Sequence, residues 1–322
     1  MYTIVVTDDR YGSYDQEKAV LGEIGAELRV HDFSEGDEAE AEEVLAEADG
    51  VLVNLFPLTG DIIRKMKKCR VISRYGVGYD NVDVDAATER GIQVTRVPDY
   101  CSEDVSDHAL ALLLSCIRKV AYKDRLIRRG EWNLHKHYPC FRIKGKVLGI
   151  IGYGGGGRAL HRKVAGFGLA RVLVDDPYVP DNVILGSGAE PAGLERVLGE
   201  SDYVSIHAPL SEETFHLMNS GTLSMMKPGA ILINTSRGPL VEEGALCAVL
   251  KSGSIAGAAL DVFEEEPLGG ESSLRDLDNV ILSDHTAWYS EESLVELKTK
   301  AARNILEVLT GMKPTYPVNT FF

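Results

Sequence analysis

No apolar stretch in this sequence approaches the roughly 20 residues that a membrane-spanning helix needs; the densest is Ala109–Leu114. Basic charge is in deficit, with 34 Lys and Arg against 49 Asp and Glu in 322 residues, a net charge of −15. Phosphate backbones and anionic bilayers are bound through Lys and Arg, so nucleic acid and membrane surfaces are excluded as partners. Cysteine is sparse: Cys69, Cys101, Cys116, Cys140 and Cys247 are odd in number, scattered, and form no C-x-x-C pair. That pattern fits a reduced, cytoplasmic enzyme better than a disulfide framework. The opening Met1–Asp9 has neither a basic stretch nor a small-residue cleavage site, so no signal peptide is expected. Repeats with a period of 20–50 residues and low-complexity linkers are lacking too.

What remains is a chain long enough for two domains. Val- and Ile-rich runs predict strands at 3–7, 28–31, 51–56, 71–74 and 93–97, with helical patterns between them, including an acidic, solvated helix over 38–47. A long helix is predicted over 104–129. After it come strands at 147–151, 172–175, 204–207, 231–234, 258–261 and 280–282, whose starts lie 22 to 32 residues apart. Such spacing leaves room for a crossover between each pair, as a parallel sheet covered on both faces requires. A last helix runs from about 290 to 311.

Directly after the 147–151 strand stands Gly152-Tyr-Gly154-Gly155-Gly156-Gly157, followed by a helical stretch. In that context G-x-G-x-x-G is a dinucleotide cradle: a tight turn, a close backbone approach to pyrophosphate, and a helix N-terminus facing the phosphates. The next strand ends in Asp175-Asp176, with Asp176 19 residues beyond Gly157. A carboxylate there accepts both adenosine ribose hydroxyls and repels a 2′-phosphate, which points to NAD(H) ahead of NADP(H).

Three polar residues follow predicted strand ends: Arg237, Glu266 and His285. In open α/β sheets the ligand crevice lies at the carboxyl ends of the strands, so all three address one rim. Reduction of a 2-keto acid needs a proton donor, for which histidine is suited. A carboxylate beside it favours the imidazolium, and a guanidinium pairs with the substrate carboxylate and polarises its carbonyl. Taken singly, each residue has a plainer reading as a surface ion pair, a solvated acid or a packed ring. His135 and His137 form an H-x-H pair, but no third ligand is near in sequence, so no metal site is expected.

Together these segments resemble the D-isomer-specific 2-hydroxyacid dehydrogenases. The resemblance is carried by residues 74–83, 105–112, 152–157, His207-Ala208-Pro209-Leu210 with Thr214, 234–238, 259–267 and His285. It implies two Rossmann-like or flavodoxin-like doubly wound α/β domains with parallel sheets and a cleft between them. The substrate domain would be residues 1–99 plus 289–322, and the NAD-binding domain residues 100–288. It further implies Arg237, Glu266 and His285 as the catalytic set, with the substrate carboxylate held by the backbone N–H groups of Gly76 and Val77 and Arg74 also facing the pocket. His207, Ala208, Pro209, Thr214 and Thr235 would line the cofactor cleft, and Asp261 would orient the nicotinamide amide. A homodimer through the cofactor domain is implied, in part through 118–138, where Trp132 and Tyr138 suit a contact. The sequence around Trp288 resembles the C-terminal-binding-protein branch, which makes Trp288 a wall of the substrate pocket and raises an NADH-responsive, corepressor-like alternative. Gly155-Gly156 departs from the usual basic–aliphatic pair, and a more mobile loop is expected there.

Overall fold

The computed structural model describes residues 1–34, 36–132 and 139–320. The His135–His137 pair and Tyr138 lie outside the described residues. The chain divides into two compact units: Met1–Tyr100 together with the C-terminal stretch from Ser290, and Cys101–Tyr289.

The first unit contains strands β1 (Thr3–Val6), β2 (Glu27–Val30), β3 (Gly50–Val53), β4 (Val71–Arg74) and β5 (Gln93–Thr95). They form one parallel sheet in the order β2-β1-β3-β4-β5. Strands β3 and β4 are buried throughout, as a parallel sheet covered by helices demands. The core under one face gathers Val51, Val53, Ile62, Ile63, Ile72 and Val94. The C-terminal helix Glu291–Leu309 belongs to this unit; Ser290 caps it by accepting from the Ser293 N–H, and Ser293 returns the bond.

The second unit contains β6 (Val147–Ile151), β7 (Arg171–Asp175), β8 (Glu190–Pro191), β9 (Tyr203–Ile206), β10 (Ile231–Asn234), β11 (Gly257–Leu260) and β12 (Val280–Leu282). Its parallel sheet runs β12-β11-β10-β9-β6-β7-β8. The order reverses between β6 and β9, the switch point at which doubly wound sheets bind ligands. The short edge strand β8 escapes detection from sequence because two residues carry no periodicity.

The long helix expected over 104–129 is instead two, Ser102–Arg118 and Val120–Arg128. Lys119 between them adopts φ 58°, a left-handed conformation that ends one helix and starts the other. No helix among the described residues is long and apolar enough to cross a membrane.

Candidate active site

The carboxyl ends of β6, β7, β9, β10, β11 and β12 carry the polar residues singled out above. After β6, Gly152 takes φ 88° and donates its N–H to Asp175 O at 2.8 Å. A side chain there would place Cβ 2.5 Å from the Ala208 N–H nitrogen, so only glycine lets the β6 and β9 turns meet. Gly154 precedes the helix Gly155–Val164 and offers it no side-chain cap, leaving that N-terminus to a ligand. Gly155 and Gly156 therefore form the first helical turn, and the mobile loop expected at this pair is corrected to helix. A methyl on Gly155 would run into Ser102 Oγ, so that hydroxyl would have to turn away to admit a side chain there. Gly157 packs its bare Cα against Gly152 O.

At the end of β7, Asp176 accepts from the Tyr153 N–H at 2.7 Å and from the Tyr178 N–H at 2.9 Å, which fixes its carboxylate beside the cradle. Burial, then the charge of Asp176, raises the pKa of Asp175. Desolvation lowers His207 to about 4, leaving its imidazole neutral near pH 7. Its Nε2 lies 2.9 Å from Ser205 Oγ, and a Cβ on Gly156 would come within 3.3 Å of its Nδ1. Ala208 is buried in the sheet's core. Thr214 donates to Pro209 O at 2.7 Å, bracing that turn. The Thr235 hydroxyl is buried with no hydrogen-bond partner among the described residues. An uncapped helix N-terminus, a fixed carboxylate at the next strand end and an orphaned hydroxyl fit a dinucleotide.

The candidate catalytic groups converge on the β10–β12 side of the same rim. His285 Nδ1 lies 2.6 Å from Glu266 Oε2. Glu266 Oε1 accepts the Phe263 N–H at 3.0 Å. Burial resists ionisation of Glu266, but the hydrogen bond and charge of His285, the Phe263 N–H and the charge of Arg237 outweigh it, and its pKa is lowered. Arg237 donates from Nη1 to Ser236 O at 2.9 Å, while Asn234 grips the same turn by donating to Arg237 O and accepting from the Ser236 N–H. Gly238 then lets this turn press on the Glu266 loop, since any Cβ would overlap Phe263 O. That packing role was not apparent from the sequence, although the Ser-Arg-Gly triplet carried its signal.

Asp261 is fully buried and spends both carboxylate oxygens on its own unit: Oδ1 accepts from Ser283 Oγ and the Thr286 N–H, Oδ2 from the Ala287 N–H. Trp288, half-buried, stands edge-on to Tyr289 at 5.6 Å.

In the first unit, Arg74 is buried and donates from Nη1 to Tyr75 O at 2.6 Å. Gly76, at φ 146°, spends its N–H on Arg74 O at 3.0 Å, which corrects its expected place as a donor to the substrate carboxylate, and a Cβ there would overlap the Arg74 guanidinium. Val77 is exposed.

Residues 110–287 match the family model described as D-isomer specific 2-hydroxyacid dehydrogenase, NAD binding domain. The chain is 41% identical over 273 residues to a glyoxylate reductase of Korarchaeum cryptofilum, covering 83% of this chain and 82% of that one. It is 38% identical over 303 residues to a glyoxylate reductase of Pyrococcus furiosus, covering 91% and 90%. Among solved structures, a D-lactate dehydrogenase of Aquifex aeolicus complexed with NAD and lactic acid superimposes with a TM-score of 0.85 at 26% identity, covering 96% of each chain. With its NAD-binding sheet, its glycine cradle and these relatives, the chain belongs to the D-isomer specific 2-hydroxyacid dehydrogenase family of NAD-dependent oxidoreductases.

Proposed function

We propose that the protein reduces a small 2-keto acid to its D-2-hydroxy acid with NADH, and catalyses the reverse oxidation. The His285–Glu266 pair, placed with Arg237 at one sheet edge, carries this reading. When bound, the reduced nicotinamide supplies the hydride that ends on C2 of the substrate. With Nδ1 held by the ionised Glu266, His285 presents Nε2 as the proton donor, and the carbonyl oxygen becomes the hydroxyl. Glu266 keeps the ring in that orientation. Arg237 pairs with the substrate carboxylate and polarises the carbonyl, the role of a preorganised cation where charge develops.

Arg74 and Val77 are assigned to the substrate carboxylate, with Gly76 leaving room for the guanidinium. The cofactor lies on Gly152, Gly154, Gly155, Gly156 and Gly157 with Asp176 at the ribose, and Asp175, His207, Ala208, Pro209, Thr214, Thr235 and Asp261 complete its surroundings. The Asp176 carboxylate, fixed by two backbone N–H groups, would meet a 2′-phosphate with like charge, which favours NAD(H) over NADP(H). Glyoxylate is the first substrate to try, since relatives along most of the chain are named for it. Trp288, shared with the C-terminal-binding-protein branch, is assigned to a pocket wall that admits a larger apolar side chain. The relatives are named as reductases and dehydrogenases, which favours catalysis over the corepressor-like alternative. We assign the chain to the cytoplasm on its cysteine pattern, and a homodimer through the cofactor unit on the exposed Trp132.

The test is NADH oxidation over a panel of 2-keto acids from glyoxylate to aromatic ones. His285→Ala is expected to lower turnover by about 10²–10⁴-fold while NADH still binds by fluorescence titration. Full turnover in that variant, or none by the wild type on any keto acid, overturns the reading.

A further inference from the structure

His285 sits at φ 57°, a conformation that residues with a side chain avoid. A residue persists there when its surroundings over-determine it, and here the surroundings are one buried residue, Asp261, acting through its main-chain carbonyl and both carboxylate oxygens. The His285 N–H donates to Asp261 O at 2.8 Å, and the next two N–H groups, of Thr286 and Ala287, go to Asp261 Oδ1 and Oδ2 at 3.1 and 2.8 Å. Asp261 thus grips three consecutive residues of the turn that presents the catalytic ring.

The orientation of the carboxylate is set in turn from a different element. Ser283 Oγ lies 2.6 Å from Asp261 Oδ1, and His108 Nε2, on the helix Ser102–Arg118, lies 3.0 Å from Ser283 Oγ. A serine hydroxyl has one proton, and the carboxylate facing it is an acceptor. Ser283 therefore donates to Asp261 and accepts from His108, which assigns the Nε2–H form to His108. His108 Nε2 is also 3.4 Å from Asp261 Oδ1, so donor and acceptor lie along one path. The arrangement is a directed chain: helix to His108, Ser283, Asp261, the 285–287 turn, and the ring paired with Glu266.

We propose that His108 is a positioning residue of the reductase, acting through Ser283 and Asp261 to hold His285 in register with Glu266. The inference rests on the reductase reading above. Its predicted signature is in turnover, because the geometry it guards is that of proton transfer, and small misplacements of a reacting group are costly.

The experiment compares the full-length wild type with His108→Leu, His108→Gln, Ser283→Ala and the double variant His108→Leu/Ser283→Ala, on whichever keto acid the wild type reduces. Removing the ring's donor or the relay hydroxyl is expected to lower kcat by about tenfold or more, with KM for the keto acid and Kd for NADH changed by less than about twofold. Glutamine, whose Nε can donate as the ring Nε2 does, should restore kcat to within about threefold of wild type. Because both residues act along one chain, the double variant should fall no further than the worse single one. Unchanged kcat in His108→Leu, multiplicative losses in the double variant, or equal losses of kcat and NADH binding would each overturn the proposal. Wild type inactive on every keto acid would instead refute the reductase reading itself.

Discussion

Gly238 illustrates how a single atom governs the site. Its missing Cβ lets the Arg237 turn touch the Glu266 loop, so Gly238→Ala must push the two apart. We expect a loss of kcat of about tenfold or more, as for other displacements of a catalytic group, together with a lower Tm; wild-type turnover would show that the contact is dispensable. His207 makes a different prediction. Burial lowers its pKa from 6.5 to about 4, so the unfolded chain takes up a proton that the folded one refuses. Its contribution to stability is complete above the unfolded value, shrinks as pH falls below about 6.5, and is gone by about 4. Melting curves over that range should show a shallower acid decline in His207→Gln than in wild type. Arg237, Glu266 and His285 could be singled out because each follows the end of a predicted strand. The roles of Gly238, Ser283 and His108 were not, since each depends on a neighbour more than 20 residues away in the chain.

Secondary-structure elements show the same division. Strands β4, β6, β10 and β12 fall on the positions that hydrophobic runs predict, and the others apart from the unpredicted β8 differ by a residue or a few at their ends, where hydrogen bonding rather than side-chain pattern sets the limit. The break at Lys119 has no glycine or proline to announce it, and it turned one predicted helix into two. Because the left-handed conformation is costly for a β-branched residue, Lys119→Val is expected to be about 1–2 kcal/mol less stable than Lys119→Gly; equal Tm values would contradict that account. At the cradle the sequence located the glycine run after β6, while only the backbone path showed that Gly155 and Gly156 are the first helical turn.

Over the whole molecule, the apolar cores respect the division of the chain: the cores of the Cys101–Tyr289 sheet draw all their residues from that unit, and the core around Val51 and Ile72 draws on the other. A fragment spanning Cys101–Tyr289 is therefore expected to fold on its own and bind NADH. Calorimetry and NADH titration check both halves; an unfolded or NADH-blind fragment would show that the unit depends on the rest of the chain. Strand spacing, glycine pattern and charge balance, being local or additive properties, gave the α/β class, the glycine cradle after β6 and the acidic charge from the amino-acid order alone. The pairing of His285 with Glu266, the pressure of Gly238 on Phe263 and the chain from His108 to Asp261 arise from hydrogen bonds and contacts between segments far apart in that order. No local pattern encodes such distances, so they exist only once the sheet has brought its strand ends to a common edge.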